Sequence, residues 1–348
     1  MKHYLVSTAL IASIALIGGI SLVQTNTQSV MPDGFEDGAT QLAFEDAFDE
    51  ALIVRSTAIK GWNAVRYAVF SETLPGAVSG HDHWLFSDEE YQVVPANDQK
   101  LDDSLAIVVA QSQRLEAMGA SVIVALLPDK ARIATTKVKR QRPEAVAQRY
   151  DAAVASLQAA GLRVVDPRQA LLDAQAEAPV FMERDTHWTP FGARVVAEAV
   201  APLISDVTGQ NTQFETVLAK TEEHIGDLIT FADAGALNAT IGLGPQEVAI
   251  FETTQANSGA GDLSAGLFGD VSIPVTLVGT SYSAIPTWNF AGFLMQASST
   301  DLLNRSLEGQ GPFAPMTVYL DELDGGAAVP DVVVWEIPER YLTVDPEQ

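Results

Sequence analysis

The chain opens on its longest apolar run. After Met1, Lys2 and His3, Tyr4–Val23 holds twenty residues without a charge. A helix of that length matches the roughly 20 residues needed to cross a bilayer core. Two readings fit it: a cleaved signal peptide, with Gly19-Ile20-Ser21 as a loose small-x-small site, or an uncleaved anchor. Residues 1–24 are therefore assigned to a signal anchor or signal peptide. Polar, Gly/Pro-bearing residues 25–40 form a linker, and 41–348 the folded domain. In both readings the bulk of the chain lies outside the cytoplasm. No second apolar stretch is comparable, so a multi-span protein is not expected.

Beyond the linker the period changes. Leu42–Val54 and Ala58–Phe70 carry apolar residues at helical spacing, Thr73–Ser79 is turn-rich, and His83–Val94 has strand-like aromatics. An alternation follows. Helices are predicted over Asp102–Met118 (stopped by Gly119), Pro143–Ala160, Pro167–Glu177 and Pro190–Val207. Apolar strands are predicted over Ser121–Leu127, Leu162–Val165, Ile273–Val278, Leu302–Leu303 and Val332–Trp335. Phe214–Ser264 reads as irregular, and Ile285–Ala297 as a helix despite Pro286. Uninterrupted apolar strands alternating with helices imply an α/β fold: a mostly parallel sheet covered on both faces, three layers in all.

Charge narrows the partners. Forty-five acids stand against twenty Lys and Arg, a net charge of −25. That field repels phosphates, so nucleic acid is excluded as a partner. The 47% apolar content supports a sizeable core. With no cysteine, thiol catalysis, thiolate metal sites and disulfides are all excluded.

Chemistry in a parallel sheet gathers beyond the carboxyl ends of its strands. Three segments qualify: Gly279-Thr280-Ser281-Tyr282-Ser283, Leu127-Pro128-Asp129-Lys130 and Ile337-Pro338-Glu339-Arg340-Tyr341. The sharpest signal lies elsewhere, in Asp185-Thr186-His187-Trp188, just before the helix that Pro190 opens. An Asp two residues before a His can hold the near ring nitrogen, leaving the far one to take a proton from a nucleophile. Ser281 is the candidate nucleophile, with backbone N–H groups around Ser281–Tyr282 as oxyanion donors. Two plainer readings stay open. Asp185 and Ser281 could be helix caps and His187 a packed ring. His81-x-His83 reads as a solvated loop rather than half a metal site, and His224 as a surface helix start. The dense basic stretch Lys130, Arg132, Lys137-x-Lys139-Arg140-x-Arg142 reads as a solvated helix approach, with a docking strip for an anionic chain as the alternative. Neither a metal nor a cofactor is called for.

Several motifs together resemble the alginate O-acetyltransferase family (AlgJ/AlgX-like), whose members carry an SGNH-hydrolase-like domain. Gly80-His81-Asp82-His83-Trp84-Leu85-Phe86 is similar to its G-x-D-G-W-L-F motif, with His83 in place of glycine. Asp185–Trp188 matches D-T-H-W and Gly279–Ser283 matches G-T-S-Y-S, while Gly309–Phe313 and Trp335–Tyr341 resemble further segments. The resemblance spans about Gly80 to Tyr341. It implies a Ser281–His187–Asp185 triad in a permuted order, because ordinary SGNH enzymes place the serine first. It further implies periplasmic acetylation of an exopolysaccharide, with acetyl passed from a membrane-bound O-acyltransferase among other secretion proteins, and attachment to the inner membrane through the N-terminal helix. The anchored branch fits better than the branch with a carboxyl-terminal carbohydrate-binding module. Tyr282, Arg340 and Tyr341 are candidates for contacting the acceptor, lying beyond strand ends. Two rivals stand beside this reading: an acetylesterase using the same triad, and a non-catalytic polymer-binding scaffold.

Overall fold

A computed structural model describes residues 2–25, 38–209, 212–256 and 273–344. Two compact units are distinguished. The first is Met1–Glu72 with Ala232–Ile241. It holds α1 (Lys2–Gln24), α2 (Ala39–Ala51) and α3 (Arg55–Val65), the last running on as a π-helical turn over Arg66–Phe70. Asn63 donates to Asp233 Oδ2 at 3.2 Å inside this unit. A helix thus forms where the leading apolar run predicts one. Among the described residues, however, no helix is long and apolar enough to cross a membrane. Most of the expected linker, residues 26–37, lies outside the described residues.

The second unit is Thr73–Phe231 with Gly242–Gln348. In chain order it carries β1 (Ala77–Ser79), β2 (Leu85–Ser87), α4 (Asn97–Met118), β3 (Ser121–Leu127), α5 (Lys130–Ile133), α6 (Glu144–Ala159), β4 (Arg163–Val165), α7 (Arg168–Ala174) and α8 (Pro190–Thr208). There follow β5 (Phe214–His224), β6 (Gln246–Gln255), β7 (Val275–Val278), α9 (Ser281–Ala284), α10 (Phe290–Ser298), β8 (Leu302–Asn304), α11 (Phe313–Asp324) and β9 (Val332–Pro338). Five strands form one sheet in the order β4-β3-β9-β7-β8, and every pairing in it is parallel.

Because the sheet is covered on both sides, its strands alternate between two apolar cores rather than between core and water. Ile123, Ala125, Val332 and Val334 pack with Val196, Val200 and Ile204 of α8 and Phe293 of α10. Val122, Val124, Val333 and Trp335 pack on the opposite side with Leu105 and Val108 of α4, Tyr150 of α6 and Met316 of α11. The register sets Val124 beside Trp335, and Val278 beside Trp335 from the other side. Parallel pairing therefore brings the ends of β3, β7 and β9 to one edge, and the next residues of all three strands reach the same place.

The sequence expectation needs correction in four stretches. Phe214–Ser264 is not irregular: β5 and β6 form a long antiparallel ribbon, with a register shift between Leu218 and Lys220, and 257–264 lie outside the described residues. Ile285–Ala297 is not one helix. Ile285 adopts ψ 119° ahead of Pro286, which disfavours helical backbone there and splits the segment into α9, a short turn over Pro286–Trp288, and α10. His83–Val94 contributes only β2 and turns, and α11 was not foreseen. Asp82 and His83 have φ of 54° and 61°. Such backbone suits glycine, which gives a physical reason for the family's glycine where this chain has His83.

Helix α8 begins hard against the strand-like segment before it. Thr189 N–H donates to the Val180 carbonyl at 3.0 Å and the Thr189 hydroxyl caps Gly192 N–H at 3.1 Å. A Cβ on Gly192 would sit 2.0 Å from that same Val180 oxygen. Gly192→Ala is therefore expected to destabilise the protein by about 1–3 kcal/mol or more, as overpacking against fixed backbone does. Denaturant unfolding of the full chain checks this; an unchanged midpoint would contradict it.

Candidate active site

The D-T-H-W segment is the tip of a narrow hairpin. Phe181 bridges Trp188, and Met182 N–H donates to the His187 carbonyl at 3.0 Å. The tip faces the turn after β7, where Ser281 starts α9. His187 Nε2 lies 2.7 Å from Ser281 Oγ, and His187 Nδ1 lies 2.6 Å from Asp185 Oδ1. An ionised carboxylate only accepts, so Nδ1 carries the proton and Nε2 accepts from the serine. All three expected residues thus meet in one hydrogen-bonded chain. Helix capping by Ser281 or Asp185 is not what the structure places there, since Thr280 and Thr189 fill the cap positions.

Asp185 is the most heavily coordinated group of the site. Oδ1 also accepts from His187 N–H at 2.9 Å, while Oδ2 accepts from His224 Nε2 at 2.7 Å and Asp227 N–H at 3.1 Å. Burial alone would raise this carboxyl's pKa, but the hydrogen bonds from His187 and His224 outweigh it and hold it well below the usual carboxylate range. The loop is braced further by Asp227, which accepts from Thr186 N–H at 2.8 Å and Thr186 Oγ1 at 2.5 Å. The His187 ring stacks on Trp288, centroids 5.4 Å apart, with Tyr282 at 4.8 Å on another side.

Residues 279–281 rest on Glu336, an acid set in the otherwise apolar β9 and fully buried. It accepts from Thr280 N–H at 2.8 Å, Ser283 Oγ at 3.0 Å and Thr280 Oγ1 at 3.0 Å. Burial raises its pKa, opposed by those bonds. A Cβ on Gly279 would lie 2.5 Å from Glu336 Oε2, so only glycine lets the turn settle onto this acid.

Lys130 fixes the hairpin tip from the β3 side. Its Nζ, 1% exposed, donates to the carbonyls of Leu85, Glu183 and Asp185 at 2.5, 3.0 and 3.0 Å, between the rings of Trp84 and Phe86. Burial pushes its pKa down to about 8. The basic stretch is only in part a solvated approach: Lys139 and Arg140 are exposed, while other members are engaged in the fold. Lys130 is a buried clamp, Arg132 binds Glu339 at 2.6 Å, Arg142 approaches Asp129 at 3.5 Å, and Lys137 pairs with Asp82 at 2.6 Å.

Candidates for acceptor contact divide. Tyr282 is buried, its hydroxyl donating to the Thr186 carbonyl at 2.5 Å and accepting from Arg340 at 2.9 Å, so it supports the loop and does not face an acceptor. Its N–H is also engaged, donating to Thr280 Oγ1 at 3.3 Å, so it is not an open oxyanion donor. Arg340 and Tyr341 do line a cavity of about 480 Å³ together with Ser281 and His187. Arg340 Nε comes within 3.2 Å of Glu89, a charge contact whose angle is not that of a hydrogen bond. Four carboxylates, Asp88, Glu89, Asp227 and Glu308, share the cavity wall. The Gly309–Phe313 and Trp335–Tyr341 segments meet here as well, with Trp335 Nε1 donating to the Pro312 carbonyl at 3.0 Å.

Ligating atoms of Asp185, His187 and Asp227 lie within 4.8 Å of one another. They are already engaged in the hydrogen bonds above, so the cluster reads as a polar network. The sequence does not single out His224, Asp227 or Glu336 as site residues, and it places Lys130 only within a segment beyond a strand end. Glu336 had a local signal, an acid inside an apolar strand. His224 had none: it is not a helix start but the last residue of β5.

Known proteins bear on this geometry. A family model described as "SGNH hydrolase-like domain, acetyltransferase AlgX" matches residues 77–339. The chain is 35% identical to a probable alginate O-acetylase AlgJ of Pseudomonas putida, over 93% of this chain and 84% of that one. It is 36% identical to the corresponding protein of Pseudomonas aeruginosa, over 95% and 89%. The solved O-acetyltransferase domain of Pseudomonas putida AlgJ superposes with a TM-score of 0.70 at 34% identity, covering 78% of this chain and 93% of that domain. Pseudomonas aeruginosa AlgX gives a TM-score of 0.58 at 26% identity, covering 77% and 66%.

Replacing Glu336 tests the platform beneath the serine. Glu336→Leu leaves buried donors without acceptors, at about 1–3 kcal/mol each. The expected result is a loss of several kcal/mol in unfolding free energy, with Glu336→Gln milder because it keeps an acceptor oxygen. Equal stability of the two variants would contradict this account.

Proposed function

The chain belongs to the AlgX family of SGNH-hydrolase-like acetyltransferases, and on that premise we propose that it transfers acetyl groups to hydroxyls of an alginate-like exopolysaccharide through an acetyl-serine intermediate. The observation that carries this reading is the Asp185–His187–Ser281 chain of short hydrogen bonds opening into a cavity. His187 Nε2 takes the Ser281 proton as Oγ attacks the acetyl carbonyl of a donor. As the tetrahedral adduct collapses, the donor oxygen leaves with that proton and acetyl-Ser281 remains. A sugar hydroxyl then attacks the ester, giving its proton to His187, which returns it to Ser281. Asp185 keeps the imidazole in the tautomer both steps need and balances its transient positive charge. We assign the oxyanion to the Ser281 N–H at the start of α9, and acceptor contact to Arg340 and Tyr341.

The setting follows from the same reading. The catalytic unit lies in the periplasm, tethered to the inner membrane by residues 1–24 or released from them, with 25–40 as linker and 41–348 as the working domain. The uncharged run 4–23 and the family support this placement. A membrane-bound O-acyltransferase supplies the acetyl group, and other exopolysaccharide-secretion proteins are its neighbours. Relatives named for alginate acetylation support the acceptor class.

Acetyl transfer from a chromogenic ester to added oligosaccharide is expected in the wild type. It should fall about 10⁴–10⁶-fold in Ser281→Ala and His187→Ala, the scale seen when a triad member is lost. Transfer to water alone would make the protein an acetylesterase, and unchanged polymer acetylation by Ser281→Ala in cells would make it a scaffold. The acid-lined cavity adds a second expectation. Transfer to an anionic oligouronate should accelerate as salt rises toward about 0.1 M, where charges are screened over roughly 10 Å. Transfer to a neutral sugar should change little, and an equal response of both would contradict a charged cavity wall.

A further inference from the structure

A serine hydrolase triad asks its aspartate to hold one imidazole. Here the carboxylate holds two, one on each oxygen. Oδ1 faces His187, and Oδ2 faces His224 Nε2 at 2.7 Å. His224 comes from a different element, the last residue of β5, and its ring stands edge-on to Trp288, the same indole on which His187 stacks. The two histidines are therefore joined twice, through one carboxylate and through one ring.

We propose that His224 is a positioning residue for the catalytic base: by holding the second oxygen of Asp185 it fixes the carboxylate against His187 and sets the proton affinity of that imidazole. The proposal rests on the acetyl-transfer reading for its consequence in turnover, but not for its structural content. Asp227 N–H also reaches Oδ2, at 3.1 Å, and the shorter bond from His224 adds a ring donor against rotation about Cβ–Cγ, one that is charge-assisted.

Protonation gives the contact a second effect. The bond to Asp185 raises the His224 pKa, against its partial burial, and the nearby Asp227 and Glu222 act in the same direction. Across the ribbon, His224 lies opposite the uncharged Gln246, with Glu247 next along β6. His187 faces it through Asp185. When His224 is protonated it neutralises part of the carboxylate's charge, which weakens the support Asp185 gives to positive charge on the His187 ring. When His224 loses its proton, Asp185 again supports the imidazolium fully.

Two substitutions separate positioning from charge. Gln places its amide nitrogen near the place of His Nε2, so His224→Gln keeps a donor but cannot titrate, whereas His224→Ala removes the donor. In steady-state turnover of an acetyl ester, His224→Ala is expected to lower kcat about 10-fold with KM unchanged, and His224→Gln to recover most of that rate. Both should move the acid limb of the kcat/KM profile to higher pH by about one unit, because the opposing cation is gone. NMR titration of the His187 ring in the full chain reads the same shift without relying on catalysis. It also covers the case in which His224→Ala fails to fold, since His224→Gln suffices. An unmoved His187 titration in folded His224→Gln overturns the proposal. A wild type that turns over no ester, yet shows the His187 shift, would overturn the acetyl-transfer reading and leave this one standing.

Discussion

The structure around the serine depends on one buried charge, the Asp185 carboxylate. Four donors converge on it: the backbone and ring of His187, the ring of His224 and the backbone of Asp227. A charge in such a place is costly unless every lone pair is met. Meeting them requires the hairpin tip, the end of β5 and the residues after it to hold their positions together. Lys130 ties the carbonyl side of the same tip to β2, so the loop is held by opposite charges on its two sides. The parallel sheet enters the account at this point. Its strand ends deliver Lys130 from β3, Ser281 from β7 and Arg340 from β9 to one edge, and Glu336 carries the serine's turn from beneath.

Much of the sheet was legible in the sequence. Ser121–Leu127 and Val332–Trp335 are uninterrupted apolar runs, as strands covered on both faces must be, and Gly119 and Pro190 mark helix ends with little ambiguity. The Asp-x-His and Gly-x-Ser signals named the residues that the structure joins. What sequence reading missed is physical in origin. The β5 strand is largely solvated, so it shows no apolar alternation, and its pairing with β6 spans a long stretch of chain. The His224–Asp185 contact joins residues 39 apart and leaves no local trace. Lys130 and Arg132 carry the composition of a surface strip, yet Lys130 is buried against carbonyls and the partly buried Arg132 is held by Glu339. Tyr282 follows Ser281 and reads as an acceptor contact in the sequence, but packing turns its ring inward.

The charged wall of the cavity beside Ser281 is mostly acidic. Asp88, Glu89, Asp227 and Glu308 share its wall with Arg340, in a chain of net charge −25. A polyuronate approaching that wall must have its carboxylates screened, or must present its hydroxyls first. Among the described residues that line the cavity with Ser281 and His187, Arg340 carries the fixed positive charge.

The central claim is that Ser281 carries the acetyl group between donor and acceptor. Brief exposure of the full chain to an acetyl ester, followed by intact mass measurement and peptide mapping, tests it most directly. One added acetyl on the peptide containing Ser281, absent from Ser281→Ala and cleared when acceptor sugar is supplied, is the predicted result. A folded wild type that turns over the ester while no acetyl is ever found on Ser281, even after rapid acid quenching, would contradict it.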